Sequence, residues 1–196
     1  MTVPSRREAA RLLLSLQPPP WHLRHVCAVA DVAAFLARGA VARGAAINPL
    51  AVETAALLHD VDKLPAAGKP GHLRHGDGSA VWLEARGLDE LAHLVRDHPV
   101  TRLADDVEAQ AIADAVLGAR IVAYADKRAG QELESMDERF RSWDRRYPGG
   151  WDATVGATVA ARALALERDV CAASGVEPEQ VRRLRWSRRA LREAAR

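Results

Sequence analysis

The chain is poor in the side chains that usually build sheets: it has two phenylalanines and two tyrosines in 196 residues. Strand-like alternation of apolar and polar residues is also scarce. With alanine abundant and 48% of residues hydrophobic, this argues against a sandwich or barrel and predicts an all-α protein with a real core. Two cysteines, Cys27 and Cys171, lie far apart in sequence and without metal-pair spacing, so both read as reduced thiols. A net charge of +2 sets up no global field that would draw nucleic acid or a membrane. No run reads as long enough to span a bilayer, and the charged first eight residues lack the apolar core of a signal peptide. The expectation is a soluble, cytoplasmic protein. Without repeats, low-complexity linkers or a composition shift, residues 1–196 read as one domain.

Two further scarcities are informative by position. Lysine occurs only as Lys63, Lys69 and Lys127, and every histidine lies between His22 and His98. The few compact cations and all the imidazoles therefore fall in the first two thirds of the chain. The arginines instead crowd the C-terminus: Arg182, Arg183, Arg185, Arg188, Arg189, Arg192 and Arg196.

Apolar periodicity predicts helices over about 5–16, 21–43 (bending at Gly39), 48–60, 75–86, 88–97 and a long one over 107–128. Asn48 followed by Pro49 reads as an N-cap with proline at the first helical position. Val52, Ala55, Ala56 and His59 step at i, i+3, i+4 and i+7, which puts His59 on the buried stripe. His25 heads a similar series through Val29, Val32 and Leu36. The stripe Ile112, Ala115, Val116, Ala119, Val122, Ala123 reaches Asp126. A carboxylate on an apolar face is costly unless paired, hydrogen-bonded or bound to metal. Three helices thus aim ligand-type groups inward, and His59 is followed directly by Asp60. Imidazole and carboxylate together suit a divalent metal of intermediate hardness.

The order His25 … His59-Asp60 … Asp126 resembles the HD-domain metal-dependent phosphohydrolases, whose signature is H…HD…D on a helical bundle. Leu57-Leu58-His59-Asp60-Val61-Asp62-Lys63 is similar to their "LLHDxxK" segment and Ala123-Tyr124-Ala125-Asp126-Lys127 to their "xxADK" segment. The likeness runs over about 21–128, with a looser echo around Arg139-Phe140 and Arg146-Tyr147-Pro148. Asp62 stands where many members have glycine; a left-handed helix end there would tolerate aspartate. The segment His75-Gly76-Asp77-Gly78-Ser79-Ala80 and the ending Val95-Arg96-Asp97-His98-Pro99 resemble members with extra histidines, among them the diadenosine tetraphosphatase-like group. From the residues alone His75 also suits a helix-start surface position, and His98 could complement a helix C-terminal dipole.

The resemblance implies a helical bundle in which His25, His59, Asp60 and Asp126 hold a divalent ion (Fe, Mn, Ni, Co, Zn or Mg). His75 and His98 would hold a second, with Asp60 bridging; two ions are expected rather than one. Asp60 would also orient the attacking water, and Lys63 would neutralise charge on phosphate. Lys63, Lys69, His72 and Lys127 are the expected substrate contacts. The expected activity is hydrolysis of a phosphoester or phosphoanhydride of a nucleotide or dinucleotide. The alternatives are a nucleotide-binding regulatory module without turnover, or an arginine-rich helical module for RNA or protein. His22 is read as a surface residue or one lying behind the ligands, and His93 as a surface residue. The region 131–196 is read as scaffold, with Leu133, Met136, Phe140, Trp143 and Tyr147 forming a buried stripe.

Overall fold

A computed structural model describes residues 3–130 and 132–184. Among the described residues there are ten α-helices and no strand, only a single antiparallel bridge between Ala129 and Leu133. The helices are α1 (Arg6–Ser15), α2 (Pro20–Ala42), α3 (Pro49–Leu58), α4 (Asp77–Glu84), α5 (Asp89–Val95), α6 (Asp106–Asp114), α7 (Leu117–Arg128), α8 (Met136–Arg146), α9 (Ala153–Ser174) and α10 (Pro178–Arg182).

Their ends are set by local chemistry. Asn48 accepts hydrogen bonds from the amides of Leu50 and Ala51 with Pro49 following, as the sequence predicts. Ser5 with Glu8 and Ser135 with Glu138 form capping boxes on α1 and α8. Asp105 and Asp152 cap α6 and α9, and Gly175 closes α9 in the left-handed conformation. The predicted helix over 107–128 is two helices: Ala115 and Val116 are extended, with ψ of 156° and 146°. The break resets the phase of α7, so the apolar stripe does not run on through Val116, which is 52% exposed.

α2, α3 and α7 pack against one another at the centre. Alanines at their contacts (Ala28, Ala33, Ala51, Ala55, Ala56, Ala123, Ala125) are fully or almost fully buried and let the helices approach closely. α2 runs straight through Gly39 without ending, and a Cβ there would lie 2.4 Å from the Ser174 carbonyl oxygen. That glycine therefore serves the crossing with α9 and marks no helix end. By length and composition α2 could cross a membrane, but most of it is buried among its neighbours, as a core helix is. α1 is pinned to α3 by a bidentate Arg6–Glu53 pair at 2.7 Å. α7 is pinned to α9 by Arg128, which donates to Glu167 at 2.7 Å, and by Tyr124, which donates to the same carboxylate at 2.8 Å. Cys27 and Cys171 are buried and form no disulfide.

Candidate metal centre

The ends of these helices deliver four imidazoles and two carboxylates to one place. His25 comes from the first turns of α2, His59 and Asp60 from the end of α3, and Asp126 from α7. His75 precedes α4, and His98 follows α5. His25 Nε2 lies 3.2 Å from Asp60 Oδ2, 3.2 Å from Asp126 Oδ1 and 3.3 Å from His59 Nε2. His59 Nε2 lies 3.5 Å from Asp60 Oδ1 and 3.6 Å from Asp126 Oδ1. On the other side of Asp60, its Oδ1 lies 3.2 Å from His75 Nε2 and 3.4 Å from His98 Nε2, and those two nitrogens are 3.1 Å apart. Atoms that share an ion at about 2.0–2.2 Å, with ligand–ion–ligand angles of 90–110°, stand roughly 3.0–3.5 Å from each other. The observed separations have that size.

The outer nitrogen of every ring is committed. Nδ1 of His25, His59 and His98 faces the carbonyl oxygens of Ala129, Ala56 and Val95 at 3.0, 2.7 and 2.6 Å, and Nδ1 of His75 faces Asp62 Oδ1 at 2.9 Å. An acceptor at Nδ1 places the proton there and turns a lone pair at Nε2 inward. His25 and His59, and likewise His75 and His98, would then oppose lone pairs at hydrogen-bonding distance, which is repulsive unless a cation lies between them. Asp60 Oδ1, fully buried, accepts no well-aligned hydrogen bond. Either a proton or a divalent metal meets these needs. In the metal-free chain burial pushes His25 down, but Asp126 and Asp60 outweigh it and raise it to about 9. His75 is raised to about 9 by Asp60 and Asp62 against the same burial. Burial pushes His98 down to about 4, leaving it as the neutral acceptor in its pair. Asp60 and Asp126 are held well below the usual carboxylate range by the surrounding imidazoles, against a burial penalty that alone would raise them. Three overlapping groups could each hold a metal ion: His25, His59 and Asp126; His59, Asp60 and His98; Asp60, Asp62 and His75. The donor set, its spacing and the orphaned oxygen all fit a divalent metal.

All six predicted ligands are thus brought together, and Lys63 joins them, its Nζ 2.7 Å from Asp60 Oδ2. Burial lowers the Lys63 ammonium, but Asp60 and Asp126 raise it more, so it stays protonated above neutral pH. The other expected substrate contacts lie elsewhere. Lys127 is fully buried and donates to the carbonyls of His98 (2.9 Å) and Ala123 (3.1 Å), because α7 turns it away from the Asp126 face into the bundle. Lys69 donates to the Leu73 carbonyl, His72 is exposed, and neither lines the cleft above the metal centre.

Asp62, Gly76 and α8 were not read from the sequence in the roles they take. Asp62 is not left-handed: it sits in the 3₁₀ turn Val61–Lys63, and its carboxylate accepts from His75 Nδ1 and from the Gly76 amide at 3.0 Å. Gly76 has φ +87°, and a Cβ there would meet the Arg96 carbonyl oxygen at 2.4 Å, so glycine is what lets the chain place His75 before α4. His22 is fully buried, and its Nε2 donates to the Asp60 carbonyl at 3.1 Å, behind the ligands as one of the two readings had it. α8 is the third. Its stripe was expected to be buried in scaffold, yet only Met136 is buried, while Trp143 and Tyr147 face the cleft with Arg139. Of the arginine-rich end, Arg182 pairs with Glu138 at 2.9 Å. Arg185, Arg188, Arg189, Arg192 and Arg196 lie outside the described residues.

Neither a curated protein nor a solved structure matches the chain. Residues 23–131 match the HD domain, a span that begins just before His25 and ends just after Asp126, and so takes in all six predicted ligands. The chain belongs to the HD-domain family, which is mostly one of metal-dependent hydrolases.

Proposed function

We propose that this chain is a metal-dependent phosphohydrolase that cleaves a phosphoester or phosphoanhydride of a nucleotide-type substrate, and that Asp60 would help to hold both of two divalent ions. The observation that carries the reading is the inward convergence of four Nε2 atoms on the two oxygens of Asp60, beside a cleft of about 450 Å³. His25, His59, Asp60 and Asp126 would hold one ion, and Asp60, His75 and His98 the other. A divalent ion supplies Lewis acidity toward a phosphoryl oxygen and acidifies a water near neutral pH.

The chain's own residues would do the rest. Asp60 stays ionised, so it can accept a hydrogen bond from a water and hold it for in-line attack. Lys63, 41% exposed in its side chain, faces the cleft and can donate to a phosphate oxygen as charge builds on it. Arg139 lines the same cleft and offers a second cation for a non-bridging oxygen. Trp143 and Tyr147 narrow the opening and limit access of bulk water.

The test is metal analysis of purified protein, followed by a phosphate-release screen over mono- and dinucleotides with Mn²⁺, Fe²⁺, Ni²⁺, Co²⁺, Zn²⁺ or Mg²⁺. Two ions per chain and metal-dependent release are expected. Asp60→Ala should abolish release, and Lys63→Ala should slow turnover or weaken substrate binding. Full activity in metal-depleted Asp60→Ala protein would reject the reading.

A further inference from the structure

Two clefts meet at the metal centre. One, of about 450 Å³, and another, of about 460 Å³, share His25, Lys63, Arg139, Trp143 and Tyr147 as their common wall. Each falls within the range of about 300–1,000 Å³ typical of a small-molecule site. A phosphate monoester has one organic group and would leave one cleft without an occupant.

The two arms differ in chemistry. The first is lined by Pro99, Val100, Trp143 and Trp151, with Thr101 and Asp144. Among the described residues the Asp144 carboxylate enters no hydrogen bond or ion pair, so it is open to an N–H donor. Aromatic walls with an acceptor among them suit a planar heterocycle that carries N–H groups. The second arm runs past Trp21, Glu132, Ser142 and Arg146. Carboxylate and hydroxyl acceptors beside one flat ring suit a hydroxylated, non-aromatic group. Trp143 stands at the junction and is held rigid: the Arg139 guanidinium lies 4.7 Å from its ring centroid on one side, and Phe140 meets it edge-on at 5.2 Å.

We infer that the substrate is unsymmetrical about the scissile phosphate, with a planar N–H-bearing ring against Trp143 and Trp151 and a sugar-like group beside Trp21, Glu132 and Ser142. α8, which carries Ser142, Trp143 and Asp144, is then one specificity-determining element. The inference rests on the phosphohydrolase reading, since that reading puts phosphate at the junction.

The experiment uses Mn²⁺-loaded full-length protein and two ligands in which a methylene replaces the anhydride oxygen, with their ester bonds checked for integrity after each titration. One is a nucleoside methylenebisphosphonate, and the other is the same compound with a glucosyl group on its far phosphonate. Affinity is read by calorimetry and by tryptophan fluorescence. The glucosyl compound should bind at least about tenfold more tightly, because it fills both arms. Trp151→Leu, and separately Asp144→Asn, should weaken both ligands, the first by about tenfold or more, as expected for a lost stacking platform. Glu132→Gln with Ser142→Ala should weaken only the glucosyl compound. Equal affinity of the two ligands, or variants without these separate effects, overturns the inference. The cleavable parent compounds distinguish its failure from that of the function. Two-armed binding without cleavage under any ion refutes the hydrolase and keeps the arms. Cleavage of both parents at equal kcat/KM, with equal affinity for the analogues, refutes the arms and keeps the hydrolase.

Discussion

At the scale of single residues, the metal centre is a problem of where protons sit. Each imidazole can present Nε2 to a metal only if something outside the cluster takes the proton on Nδ1, and for His75 that partner is Asp62 at 2.9 Å. Removing a group that orients a ligand from behind usually costs about 10–100-fold in metal affinity. Asp62→Ala should therefore weaken one of two bound ions by about that factor in a Mn²⁺ titration, while the ion held by His25, His59 and Asp126 stays. Unchanged affinity at both positions would remove Asp62 from this role. The convergence of His25, His59 and Asp126 was legible in the sequence because each is a polar group on an apolar stripe, where burial without a partner is expensive, whereas His75 and His98 were reached only through the resemblance to family members with extra histidines. Asp62 was not legible, because its use depends on a contact thirteen residues away that no local periodicity encodes. Lys127 misled for a related reason. Adjacency to Asp126 in sequence means about 100° of rotation on a helix, enough to turn the ammonium from the cleft into the bundle.

At the scale of elements, α8 shows what amphipathicity can and cannot say. Its stripe is real, but period alone does not tell a face packed on core from a face lining a cleft. The break at Ala115–Val116 was hidden in the same way, because alanine and valine kept the helical spacing going across it. α8 is held at its start by Glu138, which closes the capping box on Ser135 and pairs with Arg182 at the end of α10. The Arg182 guanidinium and the Ser135 amide hold the Glu138 carboxyl down at about 2, below its ordinary 4.5. A depressed carboxyl contributes stability that is complete above the unfolded value and is lost as pH falls through the folded one. The urea midpoint of Glu138→Gln should thus lie below that of the unaltered protein at pH 7. The gap should narrow from about pH 4.5 downward and close near pH 2. Both side chains are exposed, so the gap should also shrink in high salt. A gap independent of pH would show that the carboxylate charge plays no part in holding α8.

At the scale of the whole molecule, the centre joins segments far apart in sequence: α2, the end of α3, the approach to α4, the turn after α5, and α7. An ion bound there is bound by the folded chain only, so it should stabilise folding by about 2.7 kcal/mol when its free concentration is a hundredfold above Kd. The melting temperature should rise with added Mn²⁺, fall on chelation and recover on re-addition, and His25→Ala should blunt the response. A melting temperature indifferent to metal over that range would mean that the cluster is satisfied by protons alone. The helical class and the HD-domain family could be foreseen from 196 letters. The cleft beside the metal centre could not, since its α8 wall depends on where α8 packs beside α7 and α9. The proton acceptors behind the four imidazoles bear on inheritance as well. Three of them are peptide oxygens of Ala129, Ala56 and Val95, and every amino acid at those positions would supply the same atom. Only His75 leans on a side chain, so a single codon, the one for residue 62, is the place where heritable variation can retune one half of the centre while leaving the other half's support untouched.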